Sequence, residues 1–375
     1  VNAKVTFGKD SSKAYVGLEN IPSRGSKLLS WEKANSSIST NSLFNAGDIL
    51  FGKLRPNLRK CIAAPFNGYC STDVLVLRAV DDIVPDFAVR VLQSEKVGAA
   101  AERSAIGTKM PRTSWEHLSD LLVFCPNPEE QRKVASVLAS LDASIEFTEG
   151  IVEKLKRIRQ GLLNDLLNYG VNEQGQLRDP LLNPEDFHET RLGKLPKNWN
   201  VLTLGAAISM QAGMGLTGED IADVGLYPVF GGNGHRGFTS RYTHEGRFVL
   251  IGRQGALCGN IAVASGKFFA TEHAVICTPV LPVSSGWLAC YLERMNLNRF
   301  SEASAQPGLS VQKISEKYIA MPTIDEQVAI EARLSELDIL IQVEVSELGK
   351  LSQLKLGLRE DLISGRVRVT PLLAQ

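Results

Sequence analysis

Residues 126–142, PNPEEQRKVASVLASLD, return 196 positions later as PTIDEQVAIEARLSELD at residues 322–338. The likeness continues without a gap over residues 126–171 and 322–367. Self-similarity at a fixed spacing is the signature of a duplicated architecture. The sequence therefore predicts one scaffold built twice, in which two repeated segments separate two less similar domains.

Both repeated segments are predicted to be long helices with one apolar face. Apolar residues recur at alternating steps of four and three, a spacing that forms a seam and requires a partner helix. The seam positions are Val134, Leu138, Leu141, Ile145, Val152, Leu155, Leu162 and Leu166 in the first segment, and Ile330, Leu334, Leu337, Ile341, Leu348, Leu351, Leu358 and Leu362 in the second. Thr148 and Glu344 interrupt the two series at equivalent positions.

Each predicted helix begins with the same pattern. Asn127 to Glu130 and Thr323 to Glu326 match the capping box, in which the first side chain accepts from a helix amide and the glutamate reaches back. Pro128 suits the first helical position, because the amide that proline lacks has no partner there. A helix of about 40 residues is about 60 Å long, close to two turns of duplex DNA.

The repeat predicts domain boundaries. We expect a first domain at 1–125, a spacer helix at 126–171, a linker at 172–194, a second domain at 195–321, and a second spacer helix with a tail at 322–375. The strand-like GDILFGK (47–53) matches GRFVLIGR (246–253), and STDVLV (71–76) matches TEHAVI (271–276). The first domain has no equivalent of LPKNW and LG within 195–205, so we expect its opening strand to be missing or supplied from elsewhere.

Composition excludes several classes of protein. The 375 residues are 44% hydrophobic and 22% charged, as in ordinary globular domains, and the formal net charge is zero. Residues 1–125 nevertheless hold 16 basic and 12 acidic side chains, whereas residues 322–375 hold 6 and 9. We find neither a membrane span nor a signal segment, and therefore expect a cytoplasmic protein. The six cysteines include no C-x-x-C pair, so neither a zinc site nor a disulfide framework is indicated.

The motifs of catalysis are also missing from the sequence. No Gly-Lys pair is followed by Ser or Thr, which excludes a Walker A loop, and neither N-P-P-[FY] nor D-P-P-[YFW] occurs. Residues 213–218 match G-x-G-x-x-G, but no acidic residue follows about 20 positions later. The histidines, His273 beside Glu272 among them, show no ligand spacing. We therefore expect no catalytic residue, no cofactor and no metal.

Several strings occur in the same order in both halves. The second domain contains YPVFGGNGHRGF (227–238) and RFVLIGRQGALCGNIAV (247–263), and the first contains GDILFGKLRPNLRKC (47–61), CSTDVLVLR (70–78) and MPRTSW (110–115). Each domain then leads into a P-x-x-[DE]-E-Q helix start. Over almost its whole length, the chain resembles the DNA-specificity subunit of Type I restriction-modification systems.

The resemblance implies an α+β fold with two similar β-rich target-recognition domains, joined by two helices that pack as an antiparallel coiled coil. It implies a non-catalytic protein that binds double-stranded DNA, each domain reading one half of a bipartite, asymmetric site. The helices would set the spacing and dock methyltransferase subunits that modify adenine. A restriction subunit with motor and nuclease activity would join through the complex, with no membrane involved.

Candidate DNA contacts lie in loops that differ between the domains, because phosphates and base edges require Arg, Lys and amide side chains at loop tips. In the first domain the candidates are Lys53, Arg55, Asn57, Arg59 and Lys60 in one loop, and Lys109 and Arg112 in another. In the second domain they are Asn233, His235, Arg236, Arg253 and Gln254. Residues 306–310 are a further candidate loop, and solvated surface loops or tight turns are the alternative interpretation of all of these.

Two other functions compete with DNA recognition. One is a coiled-coil scaffold whose duplicated domains bind proteins, and the other is a duplicated β-rich enzyme, for example one that modifies sugars. The basic loop at 53–60 and the divergence of the loops favour DNA over the scaffold. The lack of a paired-carboxylate or nucleophile pattern argues against the enzyme.

Overall fold

The computed structural model describes residues 4–6, 13–25, 27–34, 40–80, 82–255, 257–301 and 308–373. The chain divides into two compact units. The first unit comprises Val1–Ile151 and Glu344–Gln375, and the second comprises Val152–Val343. Each unit therefore contains one β-rich domain and one part of each repeated segment.

In the first unit, the described residues form two sheets and three short helices. The strands are β1 (Lys4–Thr6), β2 (Ala14–Val16), β3 (Glu32–Lys33), β4 (Thr40–Phe44), β5 (Ile49–Gly52), β6 (Cys61–Ala63), β7 (Gly68–Ser71) and β8 (Val74–Leu77). The order is β1-β4-β7-β2-β3 in one sheet and β6-β5-β8 in the other, and only β2 and β7 pair in parallel among these strands. The helices are α1 (Pro85–Leu92), α2 (Glu95–Arg103) and α3 (Trp115–Ser119).

In the second unit, the described residues form one larger sheet and two strand pairs. Its strands are β9 (Phe187–Thr190), β10 (Gly193–Pro196), β11 (Asn200–Thr203), β12 (Ile208–Ala212), β13 (Tyr227–Gly231), β14 (Gly234–Thr239), β15 (His244–Gly252), β16 (Ile261–Ala270), β17 (Ala274–Pro279) and β18 (Tyr318–Met321). Six of them form the sheet β12-β17-β15-β16-β13-β14, while β9 pairs with β10 and β11 with β18. The short helices are α5 (Leu204–Ala207), α6 (Ser285–Met295) and α7 (Val311–Ser315).

The opening strand that the sequence predicts to be missing from the first domain is β11 in the second. There it pairs with β18, whose Ile319 and Ala320 are 0% and 1% exposed. The matching residues 122–125 belong to no strand in the described part of the first unit, and Leu122 is 85% exposed. The two domains therefore differ at this edge.

The repeated segments are helices, as predicted. They are α4 (Pro128–Tyr169) and α8 (Ile324–Ser364), and every predicted seam residue is buried or half-buried. Thr148 and Glu344, which interrupt the seam, are also buried and half-buried respectively. Among the described residues, neither these helices nor any shorter one combines the length and apolar content needed to cross a membrane.

Within each unit the two long helices meet through an ion pair. In the first unit Lys355 Nζ lies 2.5 Å from Asp142 Oδ1, and Arg90 of α1 lies 2.6 Å from the same carboxylate. In the second unit Arg159 Nε lies 2.5 Å from Asp338 Oδ1, and Glu293 of α6 lies 3.3 Å from Arg159. The 196-residue shift relates Asp142 to Asp338 and Arg159 to Lys355.

These ion pairs define the direction of packing. In the first unit a residue early in α4 contacts one late in α8, and in the second unit a residue late in α4 contacts one early in α8. The prediction of antiparallel helices is therefore confirmed within each unit. The central charge of the two ion-pair clusters is opposite. In the first unit the carboxylate of Asp142 binds both the β-rich domain and α8, whereas in the second unit the guanidinium of Arg159 does so.

The predicted capping boxes are only half correct. Asn127 Oδ1 accepts from the Glu130 amide at 2.9 Å, and Thr323 Oγ1 accepts from the Glu326 amide at 3.4 Å. The two glutamates, however, are 1% and 7% exposed and bind arginines that follow the opposite helix. Arg368, which follows α8, donates to Glu130 at 2.6 and 2.7 Å.

The second unit has the same arrangement with more donors. Arg178, which follows α4, donates to Glu326, as do the side chains of Asn198 and Trp199 and the amide of Val171. Each glutamate thus lies at the start of one long helix and binds the segment that follows the other long helix. Because their partners lie far away in sequence, the local pattern could not reveal this role.

The repeated glutamines connect each long helix to its domain. Gln131 Oε1 accepts from the amide of Val84, just before α1, at 2.8 Å. Gln327 Oε1 accepts from the amide of Ser284, just before α6, at 2.9 Å. Both side chains are 0% exposed, and each also donates to the carbonyl of the proline five residues earlier. The E-Q pair of each helix start is therefore structural in both units.

Candidate nucleic-acid interface

The central strands β5 and β15 end in equivalent frameworks. The amide of Lys53, just after β5, donates to the carbonyl of Asp73 at 2.9 Å, and its carbonyl accepts from Thr113 at 3.0 Å. The amide of Arg253, just after β15, donates to the carbonyl of His273 at 2.9 Å, and its carbonyl accepts from Leu309 at 2.9 Å. The backbone of Lys53, and that of Arg253, is therefore held on one side by the turn before the next strand and on the other by a later loop.

In the first domain, this framework brings the two predicted loops together. The amide of Arg55 donates to the carbonyl of Pro111 at 2.8 Å, and Leu54 bridges Arg112 in antiparallel fashion. Arg55, Asn57 and Lys109 are exposed, whereas Lys53 is half-buried. The structure thus places Lys53, Arg55, Asn57, Lys109 and Arg112 on two adjoining loops.

Arg59 does not join this surface, which corrects the sequence-based prediction. Its side chain is 5% exposed and donates to the carbonyl of Ser94 at 3.1 Å, to Glu95 at 3.1 Å and to Glu102 at 3.0 Å. A Cβ on Gly98 would lie 1.9 Å from the guanidinium carbon, so this glycine provides the space that Arg59 occupies. The guanidinium is therefore committed to α2 and is not available to DNA.

Lys60 also points away from the predicted surface. Its Nζ lies 2.6 Å from the carbonyl of Leu18, and the residue is half-buried. Arg55 and Arg59 both have left-handed backbone conformations, with φ of 51° and 52°, on either side of the short 3-10 helix Pro56–Leu58. These two reversals of direction explain why cations from one basic run face different environments.

In the second domain, an open cavity of about 610 Å³ collects four of the five predicted residues. It is lined by Asn233, His235, Arg236 and Gln254, together with Gly232, Gly255, Leu257 and His273. Arg253 precedes Gln254 and is exposed. The cavity therefore combines two amides, an arginine and two imidazoles at the end of the central sheet.

Aromatic neighbours orient the imidazole of His235. The ring centroids of Phe230 and Phe238 lie 5.9 and 5.0 Å from that of His235, and both contacts are edge-on. Edge-on aromatic pairs stabilise one ring orientation. His235 is otherwise exposed to solvent.

Sequence reasoning missed two lining residues, Leu257 and His273. Leu257 is 53% exposed, and His273 Nε2 lies 3.3 Å from Glu272 Oε1. The signal for His273 was present, because STDVLV and TEHAVI align it with Asp73 of the first domain. In the loop 306–310, residues 306 and 307 lie outside the described residues, Gly308 bridges Gln254, and Ser310 caps α7 by accepting from the Lys313 amide at 3.4 Å.

Comparison with known proteins identifies the architecture. The family model described as "Type I restriction modification DNA specificity domain" matches residues 196–355. The EcoprrI specificity subunit of Escherichia coli is 42% identical over 142 residues, which are 37% of this chain and 35% of that protein. The family model thus covers the second domain and most of α8.

More distant relatives extend the likeness to most of the chain. The MjaVIII specificity subunit of Methanocaldococcus jannaschii is 22% identical over 357 residues, covering 88% of this chain and 78% of that protein. The crystal structure of the S subunit from Mycoplasma genitalium aligns with a TM-score of 0.62 at 18% identity, over 96% of this chain and 90% of that one. The fold is therefore that of the specificity subunits.

Proposed function

We propose that the chain is the non-catalytic, sequence-specific DNA-binding subunit of a Type I restriction-modification complex. Each domain reads one half of a bipartite, asymmetric DNA site. The two long helices set the distance between the half-sites and dock the methyltransferase subunits. Methylation of adenine, and cleavage by a restriction subunit that joins the complex, are activities of those partners.

The observation that carries this proposal is a shared framework with different side chains. Lys53 and Arg253 have the same backbone partners in the two domains. The side chains at two positions of this framework differ between the domains. Asp73 in the first domain corresponds to His273 in the second, and Arg112 corresponds to Gly308. A duplicated backbone that presents unlike side chains is suited to unlike half-sites.

The candidate residues divide by chemistry into two roles. Lys53, Arg55 and Lys109 are cations on adjoining loops, and such cations make the phosphate contacts that position a protein on DNA. Asn233 and Gln254 carry amides, which can bind adenine through two hydrogen bonds in the major groove. Leu257 offers an apolar group, which can contact the methyl group of thymine.

Docking of two partner subunits is supported by apolar side chains that the seam does not cover. Phe147 and Val343 are equivalent under the 196-residue shift and are 71% and 58% exposed. Ile158 and Leu354 are likewise equivalent and are 46% and 54% exposed. Each unit thus presents one such residue from α4 and one from α8, and a repeated apolar surface suits two copies of one partner.

Mapping adenine methylation in cells that carry or lack this gene tests the proposed function. With the gene and its methyltransferase partner present, we expect one bipartite motif to be methylated. Deletion of this gene alone should abolish methylation of that motif. An unchanged set of methylated adenines in cells with an active methyltransferase gene would contradict the proposal.

A further inference from the structure

Arg112 and Asp73 form a bidentate pair at the edge of the candidate interface of the first domain. Arg112 Nε donates to Asp73 Oδ1 at 2.7 Å, and Nη2 donates to Oδ2 at 3.0 Å. Arg112 Nη1 also donates to the carbonyl of Met110 at 3.2 Å. Asp73 therefore occupies the Nε side of the guanidinium. Together, Asp73 and the Met110 carbonyl hold the orientation of the guanidinium plane.

The remaining donors of Arg112 form a fork. A guanidinium has five N–H groups, and the contacts with Asp73 and Met110 use three of them. The two that remain lie one on Nη1 and one on Nη2, and the outward N–H groups of these two nitrogens are parallel in a planar guanidinium. Because the side chain is 42% exposed, this fork can reach a ligand in solvent.

Asp73 is itself fixed by the framework. Its carbonyl accepts from the Lys53 amide at 2.9 Å, its amide donates to Ser71 Oγ at 3.2 Å, and its side chain is 23% exposed. The hydrogen bond from Arg112 lowers the pKa of Asp73, so the carboxylate is ionised at neutral pH. Arg112 is thus held by a charged group that the backbone holds in turn.

The chemistry of the pair favours a base edge over a phosphate. A phosphate contact depends on net positive charge, and the adjacent carboxylate of Asp73 offsets the charge of Arg112. Two parallel donors match the O6 and N7 acceptors of guanine in the major groove, whereas adenine presents one acceptor and one donor there. A buttressed, planar fork is therefore better suited to guanine than to the other bases or to the DNA backbone.

The second domain has no arginine–aspartate pair at the equivalent positions. His273 replaces Asp73, and Gly308, which bridges Gln254, lies where Arg112 bridges Leu54. The difference lies inside a backbone framework that is otherwise shared. Any guanine preference that arises from the fork should therefore belong to one half-site only.

We propose that Arg112, held in place by Asp73, reads a guanine in the half-site bound by the first domain. Arg112 is then a specificity-determining residue and Asp73 is its positioning residue. The inference rests on the proposed function, since it requires that the first domain bind duplex DNA.

The test uses the full chain, produced with its methyltransferase partners, in two variants. Arg112→Lys keeps the positive charge and removes the fork, while Asp73→Asn keeps the shape and removes the buttressing charge. Methylation motifs are mapped in cells, and binding is measured with duplexes in which each base pair of the motif is changed in turn. At one position of the motif, we expect the ratio of affinities for guanine over the other bases to fall about 5- to 150-fold in both variants. Preferences in the other half-site should not change.

The matched control is Arg78→Lys. Arg78 forms a similar bidentate pair with Asp48, at 2.6 Å for both contacts, but follows β8 at the end opposite to Asp73. Its motif should equal that of the parent protein, and thermal unfolding of all three variants checks that they fold. An unchanged motif in Arg112→Lys, or an equal loss of affinity for every duplex, would overturn the inference. If deletion of the whole gene left the motif methylated, the proposed function itself would fail.

Discussion

At the scale of residues, Arg55 and Arg59 illustrate what a local pattern can and cannot predict. They lie four positions apart in one basic run, and both have left-handed backbone conformations. Arg55 is exposed beside the second loop, whereas Arg59 is buried against Ser94, Glu95 and Glu102. Clustered cations predicted a charged loop, but the partners of Arg59 lie on α2, which no short pattern connects to it.

This difference gives a pair of opposite expectations. Arg59→Ala should lower the free energy of unfolding by about 2 to 4 kcal/mol, because it removes charge-assisted hydrogen bonds from a buried site. Arg55→Ala should change it by less than about 0.5 kcal/mol, as at other exposed positions. Urea unfolding measures both values. Equal stability of the two variants would contradict the assignment of Arg59 to the interior.

Binding should respond in the opposite order. If Arg55 contacts a phosphate, Arg55→Ala should weaken binding for all duplexes alike and reduce the slope of log affinity against log salt by about 1. Titrations of duplex DNA at several salt concentrations measure this slope. An unchanged slope in Arg55→Ala would remove Arg55 from the interface.

At the scale of elements, the starts of the long helices couple distant parts of each unit. Glu130 is buried at the start of α4 and binds Arg368, which follows α8. The sequence predicted the helix, its start and its seam, because all of these depend on local spacing. The sequence did not predict that Glu130 binds Arg368, because the two residues are 238 positions apart.

The pair of Glu130 and Arg368 should make stability depend on pH. The hydrogen bond from Arg368 lowers the pKa of Glu130 below its ordinary value. A lowered folded-state pKa means that the contribution is fully present above the unfolded pKa of about 4.3 and is lost as pH falls through the folded pKa. Arg368→Gln should therefore lose stability at pH 6 to 8, and the deficit should shrink below about pH 4.

Urea midpoints measured across this pH range check the expectation. Arg157→Gln is the matched control, because Arg157 pairs with Glu153 on the surface of α4 and both side chains are more than two-thirds exposed. Its stability should stay close to that of the parent protein at every pH. A deficit in Arg368→Gln that stayed constant down to pH 3 would show that the carboxylate is not the group responsible.

The exposed apolar positions of α4 and α8 should matter for assembly and not for folding. Val343→Asp together with Leu354→Asp should reduce copurification of the methyltransferase at least tenfold, because charges replace part of the proposed docking surface. Gln342→Asp, on an exposed position beside Val343, is the control. Quantitative pull-down measures the effect. Full recovery of the partner with the double variant would place the docking surface elsewhere.

At the scale of the whole molecule, repeated and unrepeated residues differ in how far the sequence predicts them. The duplicated architecture was predictable because the seam, the helix starts and the strand order recur in the sequence. The second-domain cavity was predictable in part, since four of its lining residues adjoin glycines in the sequence. The pairing of Asp73 with Arg112 was not predictable, because only folding brings these two residues together.

We propose that the repeated helices set the distance between the half-sites while the divergent loops read the bases. The most direct test inserts seven residues into each helix at equivalent positions, after Gly150 and after Ser346, and maps the methylated motif. Seven helical residues add about 10 Å, or about three base pairs. We expect the spacer to lengthen by about that number while both half-site sequences stay the same. A motif with altered bases and an unchanged spacer would contradict the account.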